Sequence, residues 1–160
     1  MSIDNINTSL LEMKKSAGII FIYKKKLLLC HPTNAKWYNT YTVPKGEVEV
    51  GELEIDGAIR ETKEEVGIIV DKNKLSKEPI IIDYKKKTGE VYKQLYLYKY
   101  IVNDVSEIGL NESIWTYITA ITVKKEQLQL KEIDWAGFLD ITEASKRIFW
   151  RQSELLKLIE

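Results

Sequence analysis

Acidic residues are concentrated in residues 46–68, which read GEVEVGELEIDGAIRETKEEVGI. If the second half of this segment is helical, Glu61, Glu64 and Glu65 stand at positions i, i+3 and i+4 on one face. Carboxylates at that spacing repel one another and destabilise the helix. A hard divalent cation relieves the repulsion, because Mg²⁺ takes oxygen ligands, often one or two carboxylates together with substrate phosphates. The sequence therefore predicts magnesium-dependent chemistry on phosphate groups.

The spacing of the whole segment resembles the signature of the Nudix hydrolases, G-x5-E-x7-R-E-U-x-E-E-x-G-U, in which U is a bulky apolar residue. The matching positions are Gly46, Glu52, Arg60, Glu61, Glu64, Glu65, Gly67 and Ile68. Thr62 departs from the signature, which usually has an aliphatic residue there. We expect Thr62 to face the core, opposite the carboxylates, with its hydroxyl able to bond back to its own helix. The resemblance implies an α/β fold, the Nudix α/β/α sandwich with a mixed β-sheet.

Different roles for these residues follow from side-chain geometry and from the resemblance. By side-chain geometry the predicted ligands of Mg²⁺, or of Mn²⁺ in its place, are Glu61, Glu64 and Glu65. The resemblance implies a backbone carbonyl at Gly46 or Lys45 as a further ligand. Glu52 resembles the glutamate that holds the arginine of the signature, so the pair with Arg60 is expected to orient the metal ligands. The general base is either a glutamate of the segment or one on a later loop. Glu132 is the later candidate, with an exposed loop carboxylate as the competing interpretation. The predicted catalytic residues are Glu52, Arg60, Glu64, Glu65 and Glu132.

Four residues that precede Gly46 are candidates for substrate contacts. Lys45 stands at the start of the segment and would bind phosphate as a compact ammonium. His31 could contact a nucleotide or its phosphate, or could be a turn residue beside Pro32. Trp37 and Tyr38 could stack on a base, because aromatic faces bind bases without a fixed hydrogen-bond pattern, or could close the edge of the core.

Two runs of lysine, Lys24–Lys26 and Lys85–Lys87, fall at predicted hairpin turns. Lysines at such turns are usually solvated, and a contact with a polyphosphate is the alternative. Both runs therefore keep two interpretations at this stage.

Apolar periodicity predicts a layered α/β domain with two helices. The predicted strands are Ala17–Tyr23, Lys26–Cys30, Tyr41–Pro44, Ile68–Val70, Ile80–Tyr84, Val91–Val102, Ile114–Val123 and Ile133–Leu139. The first two strands, and the pair around the turn at Thr88-Gly89, are expected to form hairpins. A loop is predicted from His31 to Tyr41. Gly67 is placed to end the first helix, and a second amphipathic helix is predicted from Thr142, its cap, to Ile159.

Composition limits the class of protein. At 160 residues and 44% hydrophobic, the chain is expected to form a single domain over residues 1–160. Lys plus Arg equals Asp plus Glu, 24 of each, which argues against a dedicated nucleic-acid surface. The one cysteine, Cys30, cannot form an internal disulfide and suits a reducing cytosol. The sequence lacks the pattern of a signal peptide and any apolar run near the ~18 residues of a membrane span. A cytoplasmic protein without membrane contact is expected, and the oligomeric state stays open.

The leading functional hypothesis is a Mg²⁺-dependent pyrophosphohydrolase that cleaves a diphosphate linkage in a nucleoside diphosphate joined to another group. The stretch TVPKGEVEVGE resembles the subset of the family that acts on dinucleoside polyphosphates. The substrate stays open among dinucleoside polyphosphates, nucleoside triphosphates, nucleotide sugars and capped RNA ends. The alternatives are a diphosphoinositol polyphosphate hydrolase that uses Lys85–Lys87, and a regulatory module that binds a nucleotide without hydrolysis.

Overall fold

The computed structural model describes residues 13–115 and 118–160. The strands in this part of the chain are β1 (Lys14–Tyr23), β2 (Lys26–Pro32), β3 (Lys45–Glu47), β4 (Ile80–Lys85), β5 (Val91–Ile101), β6 (Asn111–Trp115), β7 (Ile118–Thr122) and β8 (Ile133–Leu139). They form one sheet in the order β4-β5-β1-β2-β8-β7-β6, and β3 pairs with β1.

Two α-helices lie in the described residues, α1 (Glu54–Val66) and α2 (Ile141–Arg147). The 3₁₀ helices are Lys72–Lys74, Val105–Ile108, Lys125–Gln127 and Trp150–Ile159. Among the helices of residues 13–115 and 118–160, none has the length and apolar character that a membrane span needs.

Strand β1 organises the sheet because it pairs with three other strands. It runs antiparallel to β2 and β3 and parallel to β5, which makes the sheet mixed. The predicted hairpins β1–β2 and β4–β5 are both confirmed. The first turn places Lys24 and Lys25 at φ 45° and 60°, the left-handed conformations that a two-residue hairpin turn of type I′ requires.

Successive side chains of β1 point to opposite faces of the sheet and pack in two different clusters. Ile19 and Phe21 are buried against α1, whereas Ile20 is buried in a second cluster with Ala144 and Leu155 from the C-terminal segment. The sheet therefore carries helical layers on both faces, and the expected α/β/α sandwich is confirmed.

Three predicted strands are wrong. Residues 41–44 contribute only isolated bridges, and the strand begins at Lys45 and runs into the acidic segment. Residues 68–70 are irregular, although Ile68 is buried in the core cluster that includes α1. The single strand expected over 114–123 is two antiparallel strands, in which Asn111 pairs with Thr122. An apolar run marks burial, but it does not mark where the chain pairs or reverses.

The long C-terminal helix predicted from Thr142 is also wrong in part. Asp140, not Thr142, caps α2, because its carboxylate accepts a hydrogen bond from the backbone N–H of Glu143 at 3.0 Å. The helix stops at Ile148, which is extended at φ −66° and ψ 138°. There the backbone N–H of the following residue donates to the carbonyl of Tyr41 at 2.8 Å. Pairing with a distant loop therefore breaks the helical periodicity.

Helix α1 is built as the sequence predicts. Gly67 ends it with a left-handed φ of 67°, and its N–H donates to the carbonyl of Lys63. Thr62 is fully buried on the core side, as expected. Its hydroxyl, however, has no hydrogen-bond partner among the described residues, so the expected bond back to the helix is wrong.

Replacing Thr62 with valine is expected to raise the free energy of unfolding by about 1 kcal/mol, because a buried hydroxyl without a partner carries a desolvation cost that an isosteric methyl group avoids. Urea denaturation measures the change. Thr33→Val is the matched control, since the Thr33 hydroxyl donates to the carbonyl of Leu130 at 2.8 Å and its loss should not stabilise. Equal stability of Thr62→Val and the wild type would contradict the expectation.

Candidate functional site

A cleft of about 470 Å³ lies between the C-terminal half of α1, strands β1, β3 and β5, and the loop before β8. Its lining residues are Lys14, Ser16, Lys45, Gly46, Glu47, Glu61, Glu64, Glu65, Lys93, Gln129 and Glu132. Acidic groups from α1 and lysines from three strands thus share one cavity.

Arg60 lies at the centre of the acidic network behind this cleft. Its Nε and Nη2 donate to the two carboxylate oxygens of Glu52 at 2.9 and 3.0 Å. Its Nη1 donates to Glu61 at 2.9 Å and to Glu64 at 3.2 Å, and Nη2 also donates to the carbonyl of Glu47 at 2.9 Å. The expected contact between Glu52 and Arg60 is present, and one guanidinium orients three carboxylates.

Glu52 is held tightly in its ionised form. Hydrogen bonds from Arg60, and then from the backbone N–H of Glu49, hold the pKa of Glu52 below its ordinary value. Gly57 makes this position possible, because a Cβ there would lie 3.0 Å from Oε1 of Glu52 and 3.3 Å from Val48. Sequence reasoning missed Gly57, yet a glycine inside a helix, which costs roughly 0.5–1 kcal/mol, is itself a sign of close approach.

Gly46 lies directly against the carboxylate of Glu61. A Cβ on Gly46 would stand 2.0 Å from both Cδ and Oε2 of that side chain, so any other residue would displace it. Burial raises the pKa of Glu61 above its ordinary value, although the hydrogen bond from Arg60 opposes the shift. The strand that enters the acidic segment and the helix that leaves it therefore meet at a backbone–carboxylate contact that only glycine permits.

Glu65 is the most perturbed carboxylate of the cleft. Burial raises its pKa to about 7. The backbone N–H of Lys45, which donates to Oε1 at 2.9 Å, opposes this rise. The charges of Glu61 and Glu132 raise this pKa further. A positive charge beside Glu65 would therefore favour its ionised form, which burial disfavours.

Glu132 reaches the same cleft from outside the acidic segment. The loop that carries it is fixed by backbone bonds, from Thr33 N–H to the Glu132 carbonyl at 2.9 Å and from Gln129 N–H to the Glu65 carbonyl at 2.8 Å. Its side chain is exposed and forms no ion pair within 4.0 Å in the described residues. The loop therefore presents an unengaged carboxylate to the cleft.

The donor chemistry of the cleft fits a hard divalent cation. Glu61, Glu64 and Glu65 supply carboxylate oxygens on one helix face, and the glycine backbone leaves room beside them. In residues 13–115 and 118–160, no three acidic, histidine or cysteine side chains already converge closely enough to hold an ion. Arg60 and the backbone N–H of Lys45 occupy some of the carboxylate oxygens instead.

Comparison with known proteins decides the family. The sequence model of the NUDIX domain family matches residues 13–158, which is nearly the whole chain. The chain belongs to the Nudix hydrolase family. A search of curated proteins found none that matches this Nudix sequence.

Solved structures share the Nudix fold at low sequence identity. An Ap4A hydrolase of C. elegans in a binary complex is 21% identical, with a TM-score of 0.55 over 91% of this chain and 93% of that one. A MutT NUDIX hydrolase from Burkholderia pseudomallei is 13% identical, with a TM-score of 0.64 over 92% and 98%. A bifunctional NMN adenylyltransferase/ADP ribose pyrophosphatase from Francisella tularensis, complexed with AMP and a Mn ion, is 14% identical, with a TM-score of 0.56 over 99% and 46%.

His31 does not line the Nudix cleft, and its interpretation as a turn residue is wrong. It lies in β2 with 1% of its surface exposed. Its Nδ1 is 2.5 Å from Oδ1 of Asp134, and its Nε2 faces the carbonyls of Ala35 and Lys36 at 3.1 and 3.0 Å. Its ring stacks in parallel on Trp37 with 3.8 Å between centroids. Both ring nitrogens therefore bind protein atoms.

Trp37 and Tyr38 lie at the surface, outside the lining of the Nudix cleft. They are 45% and 58% exposed, so they do not close a core edge. Trp37 stacks on His31, and the guanidinium of Arg147 lies 5.5 Å from the ring centroid of Tyr38. Their stacking on a base stays a prediction.

Five cleft residues were missed by sequence reasoning, and these are Lys14, Ser16, Glu47, Lys93 and Gln129. The alternation of β5 could have identified Lys93, because Lys93 lies on the same face of the strand as the buried Leu95 and Leu97. A lysine on an apolar strand face is unusual enough to suggest a site. Burial, followed by repulsion from Lys45, lowers the pKa of Lys93 to about 8.

The two lysine runs lie apart from this lining. Lys24–Lys26 form the β1–β2 turn and the start of β2. Lys85–Lys87 border a separate groove with Trp150 and Arg151, in which the guanidinium lies 4.4 Å from the centroid of the Trp150 ring. Neither run borders the acidic cleft.

Proposed function

We propose that this Nudix protein is a Mg²⁺-dependent pyrophosphohydrolase, with Mn²⁺ as an alternative ion, that cleaves a diphosphate linkage in a dinucleoside polyphosphate or a nucleoside triphosphate. The observation that carries the proposal is that Glu61, Glu64, Glu65 and Glu132 line one cleft, with Gly46 against the first of them.

Each residue has a distinct part in the proposed reaction. Glu61, Glu64 and Glu65, with a backbone carbonyl at Gly46 or Lys45, would hold the ion. When bound, the ion supplies neutralisation of the phosphate oxygens and orientation of the substrate. Arg60 keeps the ligand carboxylates in place through its bonds to Glu61 and Glu64.

The remaining chemistry is removal of a proton from the attacking water. Glu132 is our proposed general base, because its exposed carboxylate lines the cleft from a loop outside α1, whereas Arg60 donates to Glu52, Glu61 and Glu64. Glu52 acts only through Arg60, since both of its carboxylate oxygens accept from that guanidinium. Water attacks phosphorus, the anhydride P–O bond breaks, and the proton passes to the carboxylate.

Substrate contacts extend the proposal beyond the carboxylates. Lys45 lines the cleft and would bind phosphate. Trp37 offers a fixed aromatic face for a base because it is stacked on the buried His31, and Tyr38 lies beside it in the loop. The C. elegans neighbour, an Ap4A hydrolase, adds support for a dinucleoside polyphosphate. A buried, unreactive thiol at Cys30, whose pKa burial raises, agrees with the proposed cytoplasmic location.

A panel assay tests the function directly. Phosphate or nucleotide release is measured for dinucleoside polyphosphates, nucleoside triphosphates, nucleotide sugars and a diphosphoinositol polyphosphate, each with Mg²⁺, with Mn²⁺ and with a chelator. We expect metal-dependent turnover of the first two classes. Turnover confined to the inositol compound would assign the Lys85–Lys87 groove instead. Nucleotide binding without turnover under either metal would identify a regulatory module and contradict the proposal.

A further inference from the structure

The acidic cleft has a second wall made of lysines. Lys14 comes from β1, Lys45 from β3 and Lys93 from β5, and all three line the same cavity as the carboxylates of α1. The register of the sheet brings them together, since Lys14 pairs with Lys93 in the parallel ladder. We propose that Lys93, with Lys14 and Lys45, binds phosphate groups beyond the cleaved linkage and thereby selects substrates with three or more phosphates over those with two. This inference rests on the proposed function.

These lysines differ from the other lysines nearby because their charges are not paired. Lys15, the neighbour of Lys14 in sequence, forms an ion pair with Glu54 at 3.4 Å, and Lys72 forms one with Asp56 at 2.9 Å. In the described residues, none of the three cleft lysines has a carboxylate oxygen within 4.0 Å.

Five acidic residues line the same cavity, so carboxylates are present without being used for pairing. Glu47 is the acidic residue that acts most on Lys93, whereas Lys45 and Lys14 repel it. Like charges that lie close together repel one another, and an anion bound between them would relieve that repulsion. The wall is therefore suited to a ligand with several negative charges.

Lys93 is also held in place. It shares the inward face of β5 with Leu95, and its Nζ lies 5.1 Å from the centroid of the Tyr84 ring, directly across the β4–β5 ladder. Tyr84 is itself fixed, because it is buried and its hydroxyl accepts a hydrogen bond from Nε2 of Gln152 at 3.1 Å. An ammonium on a packed stem loses little conformational entropy when it binds, which favours selection between ligands.

The places of the carboxylates and the lysines in the cleft explain why the number of phosphates in the substrate would matter. The two phosphates of the cleaved linkage must lie at the carboxylates of α1, where the proposed reaction takes place. A further phosphate of the substrate would reach the lysine wall of the same cavity, where each ammonium offers three donors. A substrate with only two phosphates leaves that wall without a ligand. Lys93 is thus a specificity-determining residue in this proposal, and its replacement should act on binding more than on turnover.

Binding of inorganic phosphates tests the inference without any hydrolysis. The Kd values of tripolyphosphate and pyrophosphate are measured by titration calorimetry in metal-free buffer, for the wild type and for Lys93→Met, which keeps an unbranched stem on Tyr84. We expect the variant to weaken tripolyphosphate binding at least tenfold and pyrophosphate binding less than threefold. Lys99→Met is the matched control, because Lys99 lies on the same face of β5 outside the cleft lining and should change neither Kd.

Two further measurements keep the test decisive. Lys93→Arg should retain tripolyphosphate binding within threefold, and thermal unfolding establishes that each variant folds. In turnover assays, Lys93→Met should raise KM about tenfold for nucleoside triphosphates and dinucleoside tetraphosphates, with kcat within twofold. Unchanged tripolyphosphate binding, or equal weakening for both phosphates, would overturn the selection. If the calorimetric difference holds while no member of the panel is hydrolysed, the proposed function fails and the phosphate subsite stands.

Discussion

Replacing Glu65 with glutamine is expected to lower kcat by on the order of 10²–10⁴-fold, the range for loss of a group that acts directly on charge or protons in the transition state. The amide still accepts the Lys45 N–H bond, so the fold around β3 and α1 is kept. It cannot offer the negative charge that an ion at this position requires. Steady-state kinetics on the best substrate of the panel, with saturating Mg²⁺, measures the loss.

The same substitution is expected to stabilise the protein when no metal is bound. The carboxyl titrates near 4.5 in the unfolded chain and at about 7 in the folded one, so the folded state binds more protons between these values. The unfolding free energy of the wild type therefore falls as pH rises from about 4.5 to about 7 and stays low above that. Glu65→Gln lacks this loss and should be more stable above pH 7 by up to roughly 2–3 kcal/mol.

Thermal unfolding in chelator at pH 4.5, 6 and 8 checks the sign. The difference in Tm between Glu65→Gln and the wild type should be near zero at the lowest pH and positive at the highest. Glu78→Gln, an exposed carboxylate outside the cleft, is the matched control and should show no such trend. A variant that is less stable than the wild type at pH 8 would contradict the burial of an unpaired charge at Glu65.

Replacing Arg60 with lysine is expected to lower kcat about 10–100-fold and the unfolding free energy by about 1–3 kcal/mol. The kinetic range is the one observed when residues that orient metal ligands are lost, which is the role proposed for Arg60. The stability range is that of breaking a buried ion pair, reduced because Arg60 remains 26% exposed. One ammonium cannot reproduce the fork that contacts Glu52, Glu61 and Glu64 together.

Glu52→Gln breaks the same pair from its acidic side and separates the two effects. Arg60 then keeps its contacts with Glu61 and Glu64, so turnover should fall less than in Arg60→Lys and much less than in Glu65→Gln. Urea denaturation and steady-state rates are measured on all three variants. A larger loss of kcat in Glu52→Gln than in Glu65→Gln would overturn the assignment of Glu52 to an orienting role.

Local sequence patterns determined the parts of the protein that depend on one element. The i, i+3, i+4 spacing placed Glu61, Glu64 and Glu65 on one face of α1 because helical geometry is fixed by the backbone. The left-handed stop at Gly67 and the positive φ of Gly89 in the β4–β5 turn follow from the conformational freedom of glycine. The family signature lies within one continuous segment, residues 46–68, which is why the fold class and the reaction class were readable.

Tertiary structure alone decided what depends on distant pairing. Lys14, Lys45 and Lys93 meet because β1 pairs antiparallel with β3 and parallel with β5. No periodicity within one strand carries that information, because the partner and its register are set by hydrogen bonds between segments far apart in the chain. The break after α2 has the same cause, since Tyr41 takes the backbone bonds that a continuous helix would use.

Burial is the other property that the sequence left undetermined. Glu61, Glu64 and Glu65 lie on the same face of α1, but they differ in burial. Burial raises the pKa of Glu65 to about 7, whereas Glu64 is half exposed beside Arg60. The difference arises because desolvation depends on which elements cover a side chain, and those elements come from elsewhere in the chain. The sequence thus determined which carboxylates lie together, and the packing of β1, β3, β5 and the Glu132 loop decided which of them carries the electrostatic cost.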